Sequence, residues 1–380
     1  MNESNTPEIK TAEELLMQEL APYMLDARED YPETYYMLEY NGVPFSAFGG
    51  IQALSGQKKN GKTFVIAQLI SVCIAPDAPR VHDNLPGLSV PERTLEWLGH
   101  LPSVLYVDTE MEKLNSAKVL RRVHWLIGQD MKIPHERFHS MWLRTVETDE
   151  KEQAYRKRWR LIKNAIEVFK PDIVFIDGIR DIIGDFNDNE QSAALVQELM
   201  ALAERKNICI WNVLHMNPRP GNDDESKMRG HLGTELGNKV TDTLVSIKSK
   251  TASGVTFTVK QLDARSKDLD DWKFEVTEQA GSLGIPRIIA GSTPTTTTAV
   301  AYDSPEDILK WINEAFHKYE WPMTRGDIKK KVFAEIGGVK NATRQQKDLE
   351  AAINLKYFEE STLKAQNGSY MLQPPEDLPF

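Results

Sequence analysis

Gly56-Gln57-Lys58-Lys59-Asn60-Gly61-Lys62-Thr63 places two glycines, a lysine and a hydroxyl at the spacing G-x-x-x-x-G-K-[ST]. That spacing suits a loop wrapped around a chain of phosphates. The glycines let backbone N–H groups turn inward, and the start of a following helix adds the positive end of its dipole. Lys62 would reach the terminal phosphates and the Thr63 hydroxyl would ligate Mg²⁺. The flanks supply the strand and helix that such a loop needs: Ile51–Ser55 reads as a buried strand, and Thr63 to Ile70 as an apolar-faced helix.

Two further acidic positions fit hydrolysis of a nucleoside triphosphate. Ile173-Val174-Phe175-Ile176-Asp177 is an apolar strand closed by a carboxylate, the form needed to hold Mg²⁺ or its waters. Asp172 before that strand and Asp181 beyond it are weaker candidates. Val104-Leu105-Tyr106-Val107-Asp108-Thr109-Glu110 ends a second strand in carboxylates, and a water-orienting base belongs just past such an edge. Glu110 is the candidate base. Asp108 would instead cap the strand end, and Glu112 is the alternative on the solvent side.

These residues need an α/β scaffold. From about 40 to 280 strand-like runs alternate with helical stretches, which predicts a mostly parallel sheet flanked by helices. The strands expected after Asp177 are Ile208–Leu214 and Thr243–Ile247, with Thr256–Lys260 and Trp272–Val276 as an antiparallel extension. A charged helix is expected between Val146 and Lys170. Thr11 and Glu14 form a capping box for an acidic N-terminal helix, which either packs on its own domain or docks on a neighbouring subunit. The domain reading is an arm over 1–39, the P-loop domain over 40–280, a Gly/Ser/Thr/Pro linker over 281–303, and a small α+β domain over 304–380.

The ordered set of P-loop, acidic strand ends and a strand closing on His215 is similar to that of the RecA-like ATPases. It most closely resembles the RepA-type hexameric replicative helicases of plasmids. Gly184-Asp185-Phe186-Asn187-Asp188-Asn189-Glu190 is similar to their polar loop after the acidic strand, and Met228-Arg229-Gly230-His231-Leu232-Gly233-Thr234-Glu235-Leu236 to their Arg-Gly segment. The resemblance covers roughly residues 40–280. It implies ATP with Mg²⁺ between the subunits of a homohexameric ring, with single-stranded DNA in the channel. It implies His215 as the sensor coupling the γ-phosphate to the loop that follows, where Arg219, Lys227 and Arg229 would meet nucleic acid. It also implies Arg265, with Lys260 as companion, as cations donated to the neighbouring subunit. Here the chain reads His215-Met216-Asn217-Pro218, where many relatives carry a second histidine and a nearby lysine. A solvated charged turn is the alternative for residues 260–267.

The small C-terminal domain reads as three helices (304–319, 324–336, 342–355) and a hairpin, the order of a winged helix. Arg325, Lys329, Lys330, Lys331, Lys340, Arg344 and Lys347 crowd its second helix and the start of its third. Thr343, Arg344, Gln345, Gln346 and Lys347 would face a DNA major groove. The domain is slightly acidic as a whole, so a protein-docking module is the alternative.

Composition bounds the rest. The chain has 380 residues, 41% hydrophobic and 27% charged, as globular proteins with a sizeable core have. A net charge of −10 argues against coating nucleic acid over the whole surface and leaves local basic faces open. Cys73 and Cys209 lie in apolar runs and read as core residues. No stretch approaches a membrane span, and the polar N-terminus is unlike a secretory leader, so the cytoplasm is expected. Asn238-Lys239-Val240-Thr241-Asp242 misses the guanine-reading spacing by one residue. The function expected is an ATP-hydrolysing motor on DNA; the alternative is a nucleotide-switched DNA-binding or scaffold protein of a mobile element. A small-molecule kinase is a distant third.

Overall fold

The computed structural model describes residues 11–31, 33–216, 228–251, 254–264, 267–278, 283–289, 305–339, 345, 348, 349, 352, 353, 355–364 and 370–375. It divides into two units, Met1–Tyr35 and Tyr36–Phe380. In the first, helix α1 (Ala12–Leu20) begins as the capping box requires. The Thr11 hydroxyl accepts from the Glu14 N–H, and Glu14 accepts from the Thr11 N–H.

The second unit is organised by a sheet with nine strands in the order β12-β11-β10-β9-β3-β8-β7-β5-β6. In chain order β1 (Tyr36–Tyr40), β2 (Val43–Ala47) and β4 (Leu88–Ser89) form a separate antiparallel sheet. The large sheet takes β3 (Ile51–Gly56), β5 (Val104–Asp108), β6 (Phe138–Trp142), β7 (Ile173–Asp177), β8 (Cys209–His215), β9 (Asp242–Thr251), β10 (Gly254–Ala264), β11 (Trp272–Thr277) and β12 (Ile285–Ile288). From β9 to β6 the pairing is parallel; β10, β11 and β12 extend it antiparallel.

The central strands are buried on both faces, which explains why they read as unbroken apolar runs. The connections are α2 (Lys62–Ile74), α3 (Pro79–Asn84), α4 (Glu92–Leu98), α5 (Lys113–Leu126), α6 (Ala154–Phe169), α7 (Asn189–Lys206) and α8 (Gly230–Lys239). One core lies between the sheet and α2 and α5, the other between the sheet and α6, α7 and α8. The charged helix expected before Lys170 is α6, and Trp159, Ile162, Ala165 and Ile166 form its buried stripe.

Three expectations are corrected. The chain reaches the sheet through the β1–β2 hairpin and adds β6 at its edge, and the sequence reading had neither. Strand β12 lies inside the segment expected as a linker and pairs with β11. Strand β10 runs on to Ala264, past the strand end expected at Lys260, so the charged turn weighed as the alternative for residues 260–267 does not start there.

Residues 305–375 carry their own core. Helix α9 (Pro305–Lys318) is followed by α10 (Arg325–Ile328), which continues as a wider helix to Ile336. Ile308, Ile312, Ile328, Val332, Phe333, Leu349 and Ala352 are buried there. β13 (Glu359–Lys364) and β14 (Tyr370–Gln373) pair antiparallel. Among the described residues no helix is long and apolar enough to cross a membrane.

Candidate nucleotide-binding and hydrolysis site

Strand register assembles the site. Gly56 at the end of β3 lies opposite His215 at the end of β8, Asp177 lies opposite Val213, and Asp108 lies opposite Asp177. The parallel strands therefore deliver Gly56, His215, Asp177 and Asp108 to one edge, the C-terminal edge where open α/β sheets bind ligands.

The loop 57–60 leaves that edge and returns as α2. Gly61 caps the helix at φ 86°, a left-handed conformation that favours glycine. A side chain there would also strike the Phe257 ring, 2.6 Å from its Cδ1. The Ser246 hydroxyl on β9 donates to the Asn60 carbonyl, so the β9–β10 hairpin braces the loop from outside. Lys58 and Lys59 are exposed, Gln57 and Asn60 half-buried, and Thr63 half-buried in the first turn of α2.

Lys62 is almost wholly buried, and its ammonium donates to the carbonyls of Gly56 (3.0 Å) and Gln57 (3.1 Å). Its third contact is His215 Nδ1 at 3.1 Å. An ammonium only donates, so Nδ1 accepts and the ring proton sits on Nε2. That N–H points at Glu110 Oε2, 3.2 Å away. Burial lowers the Lys62 pKa, and the Asp177 and Glu110 carboxylates oppose the fall. The His215 hydrogen bond lowers the Glu110 pKa against burial, so Glu110 is held ionised, as a base must be.

Asp108 takes the capping role. Its Oδ1 accepts from the N–H groups of Glu110 and Met111, each at 2.9 Å, and so fixes the turn that carries Glu110. Glu112 faces away, bonded to Asn115 and 3.1 Å from Arg144. Asp172 accepts from the Ser103 N–H before the strand, and Asp181 from the Thr109 hydroxyl beyond it.

Asp177 is buried and accepts from the Tyr106 hydroxyl at 3.1 Å. Burial, then the neighbouring Asp108 and Glu110 charges, push its carboxyl up to about 7. Asp108 Oδ2 is buried without a hydrogen-bond partner. An excess of buried negative charge at a strand end fits a divalent cation. Among the described residues no group of three ligating side chains stands together. That is compatible with Mg²⁺, which keeps several waters and uses few protein ligands beside phosphate oxygens. Asp177 and the Thr63 hydroxyl are the residues that would hold it.

The structure thus brings together the loop 56–63, Glu110, Asp177 and His215. It does not bring Lys260 to them. Lys260 pairs opposite Val245, beside Ser55 within the sheet, and its Nζ is 3.9 Å from Asp271 Oδ2. Arg265 lies outside the described residues; Ala264 before it pairs with Asp242 at the opposite end of β9 from the loop. Arg219, Lys227, Arg344 and Lys347 also lie outside the described residues. Arg229 is exposed, with its guanidinium 5.6 Å from the Phe186 ring centre; Arg180 sits 4.5 Å from the same ring. The Gln345 amide donates to the Val339 carbonyl.

Sequence reading missed several residues. Tyr106 and Thr109 were hidden inside the strand and turn already assigned. Lys248 and Lys250 stand on β9 beyond Ser246, past the edge where the loop lies, and only the strand register reveals this.

Residues 43–219 match the family model described as an AAA domain. No curated protein sequence matches the chain. Among solved structures, a KaiC-like protein from the hyperthermophilic archaeon Pyrococcus horikoshii OT3 is similar over 64% of this chain and 91% of that one, at 13% identity and a TM-score of 0.41. By its own strand order the sheet domain has a RecA-like α/β fold, and the segment similar to the AAA domain family is the part that carries the phosphate loop and both acidic strand ends.

Proposed function

We propose that the chain hydrolyses ATP at this site as a ring-forming motor on DNA, a helicase or an ATPase serving replication or mobilisation in the cytoplasm. The observation that carries the reading is the placement of Glu110. An ionised carboxylate stands at the sheet edge, bonded to the same His215 that touches the phosphate-loop lysine. When bound, Mg²⁺ would be held by the Thr63 hydroxyl and Asp177 and would offset the negative charge that develops in the reaction. Lys62 would bind the terminal phosphates, Glu110 would orient the attacking water and take its proton, and the backbone of residues 57–61 would cradle the rest.

Oligomeric action on DNA is supported by the resemblance to ring helicases and by exposed cations at the loop edge. Single-stranded DNA would pass near Arg229, and duplex DNA would meet the 304–380 domain, read as a winged helix. The ring, with six subunits favoured, would supply a cation to each neighbour's site. ATPase activity stimulated by single-stranded DNA and abolished by Lys62→Ala tests this. ATPase that is absent, or indifferent to DNA and to oligomeric state, overturns it.

A nucleotide-switched DNA-binding or scaffold role in a mobile element is the second reading. It is favoured by exposed Arg325 and Lys330 on the C-terminal domain, which need no motor to act. Slow hydrolysis with site-specific duplex binding and no strand separation would select it.

A further inference from the structure

We propose that Tyr106 is a positioning residue for the Mg²⁺ site, its phenol fixing the Asp177 carboxylate in the orientation that receives the cation. The inference rests on the ATP reading above and concerns how this chain presents its strand-end carboxylate.

Packing alone does not account for the hydroxyl. Tyr106 is wholly buried in β5, opposite Phe175 of β7, in the core between the sheet and helices α2 and α5. A phenylalanine ring would fill the same space, and a buried phenol is costly unless it finds an acceptor. The acceptor it finds is Asp177 Oδ2, at 3.1 Å. Asp177 lies two residues beyond Phe175 on β7, so the contact runs diagonally across neighbouring strands. Aromatic side chains are long enough to make such a contact.

The main chain and the side chain of Asp177 are held by different groups. The Thr109 N–H donates to the Asp177 carbonyl at 3.0 Å, and strand pairing with β5 and β8 fixes the backbone on both sides. The carboxylate has the phenol as its one hydrogen-bond donor among the described residues. Tyr106 therefore governs rotation of the carboxylate, engaging Oδ2 and leaving Oδ1 for a cation or its water. The Asp108 and Glu110 charges act on the same carboxylate, and repulsion between like charges in a buried setting would turn it aside once the phenol were gone. Removing the hydroxyl leaves the strand end in place and loosens only the ligand. Mg²⁺ demands near-ideal octahedral geometry, so a loosened carboxylate serves it poorly. Groups that hydrogen-bond a ligating carboxylate commonly carry about ten- to hundredfold in metal affinity.

The test uses the full chain and a non-hydrolysable ATP analogue, bound once with Mg²⁺ and once with excess chelator. The quantity read is the ratio of the two affinities, which isolates the metal's contribution. Tyr106→Phe keeps the ring and its packing, and thermal melting checks that the variant folds. It is expected to lower the ratio about tenfold, with the chelator affinity within about twofold of the unmodified chain. Asp177→Asn should lower the ratio as well, and adding Tyr106→Phe to it should change nothing further, because the phenol acts through that carboxylate. A folded Tyr106→Phe chain with an unchanged ratio overturns the positioning role, and so does a full further loss on top of Asp177→Asn. Affinity lost equally with Mg²⁺ and with chelator also overturns it, since that outcome is general damage to the site. The unmodified chain supplies a second readout in its tyrosine ¹³Cζ signals. One of them should move when Mg²⁺ joins the bound analogue, and tyrosine signals all indifferent to Mg²⁺ overturn the role. If the unmodified chain binds no adenine nucleotide under either condition, the ATP reading itself fails. If it binds the analogue equally well with and without Mg²⁺, nucleotide binding stands and the role of Tyr106 falls.

Discussion

Asp108 and Asp177 stand opposite one another in register at the ends of β5 and β7, and their environments differ sharply. Asp108 spends one oxygen on two backbone N–H groups, whereas Asp177 receives a single phenol hydroxyl in a buried setting. Burial, with the Asp108 and Glu110 charges beside it, raises the Asp177 carboxyl to about 7.

That shift makes a pH prediction. An unfolded aspartate titrates near ~3.9, so between that value and about 7 the folded chain binds the extra proton. Stability contributed by this group is full below the unfolded value, declines as pH rises through the window, and is flat above it. Without Mg²⁺, Asp177→Asn should remove that decline and leave the variant more stable at pH 8, by at most about 4 kcal/mol. Thermal melts of both proteins from pH 4 to 8 check this, and parallel curves would refute it. Mg²⁺ prefers the ionised carboxylate, so its affinity should rise toward pH 7 and then level.

Lys62→Ala should reduce ATP hydrolysis by about 10²- to 10³-fold, the usual loss when a preorganised donor to developing charge is removed. Folding should survive, because the alanine leaves a space open toward the nucleotide site. Steady-state ATPase with circular dichroism separates the two effects. Wild-type turnover by a folded Lys62→Ala protein would place the chemistry elsewhere.

Gly178 follows Asp177 at φ 103°, and a side chain there would overlap Thr109 Oγ1 and come 2.7 Å from Glu110 Cγ. Gly178→Ala should therefore cost about 1–3 kcal/mol in strain. By pushing Glu110 aside it should also lower turnover by roughly 10²-fold, the scale of a 1 Å displacement in a reacting group. Melting temperature and turnover number are the two measurements. A stable variant with unchanged turnover would show that Glu110 is not held against Gly178.

The sequence made the phosphate loop, Asp177, Glu110 and His215 readable, because each is a residue type at the end of an apolar run. Their mutual contacts were not readable. Lys62 meets His215 across 153 residues and His215 meets Glu110 across 105. Only the parallel register of β3 with β8, of β8 with β7, and of β7 with β5 closes those distances. β6 and β12 escaped notice for a related reason. Phe138-His139-Ser140-Met141-Trp142 and Ile285-Pro286-Arg287-Ile288 are short edge segments with mixed polarity, and their pairing depends on neighbours supplied by the sheet. The capping box at Thr11 was legible because it is wholly local.

Register also bears on the cation a neighbouring subunit would supply. Beyond Lys260, which pairs opposite Val245, β10 runs on to Ala264 toward the sheet end away from the loop, whereas Lys248 and Lys250 lie on β9 past the loop itself. Lys248 stands 5.7 Å over the Phe257 ring and Lys250 is exposed. If a ring places one copy's β9–β10 hairpin against the next copy's phosphates, Lys250→Ala should lower ATPase about tenfold or more, and Lys260→Ala should leave it within about threefold. Mixing gives the decisive comparison. Lys62→Ala and Lys250→Ala chains are each defective alone, but a mixed ring contains interfaces with an intact Lys62 facing an intact Lys250. Activity should then recover to a fraction set by the mixing ratio. A mixture no more active than its parts would show that Lys250 acts within its own chain or not at all.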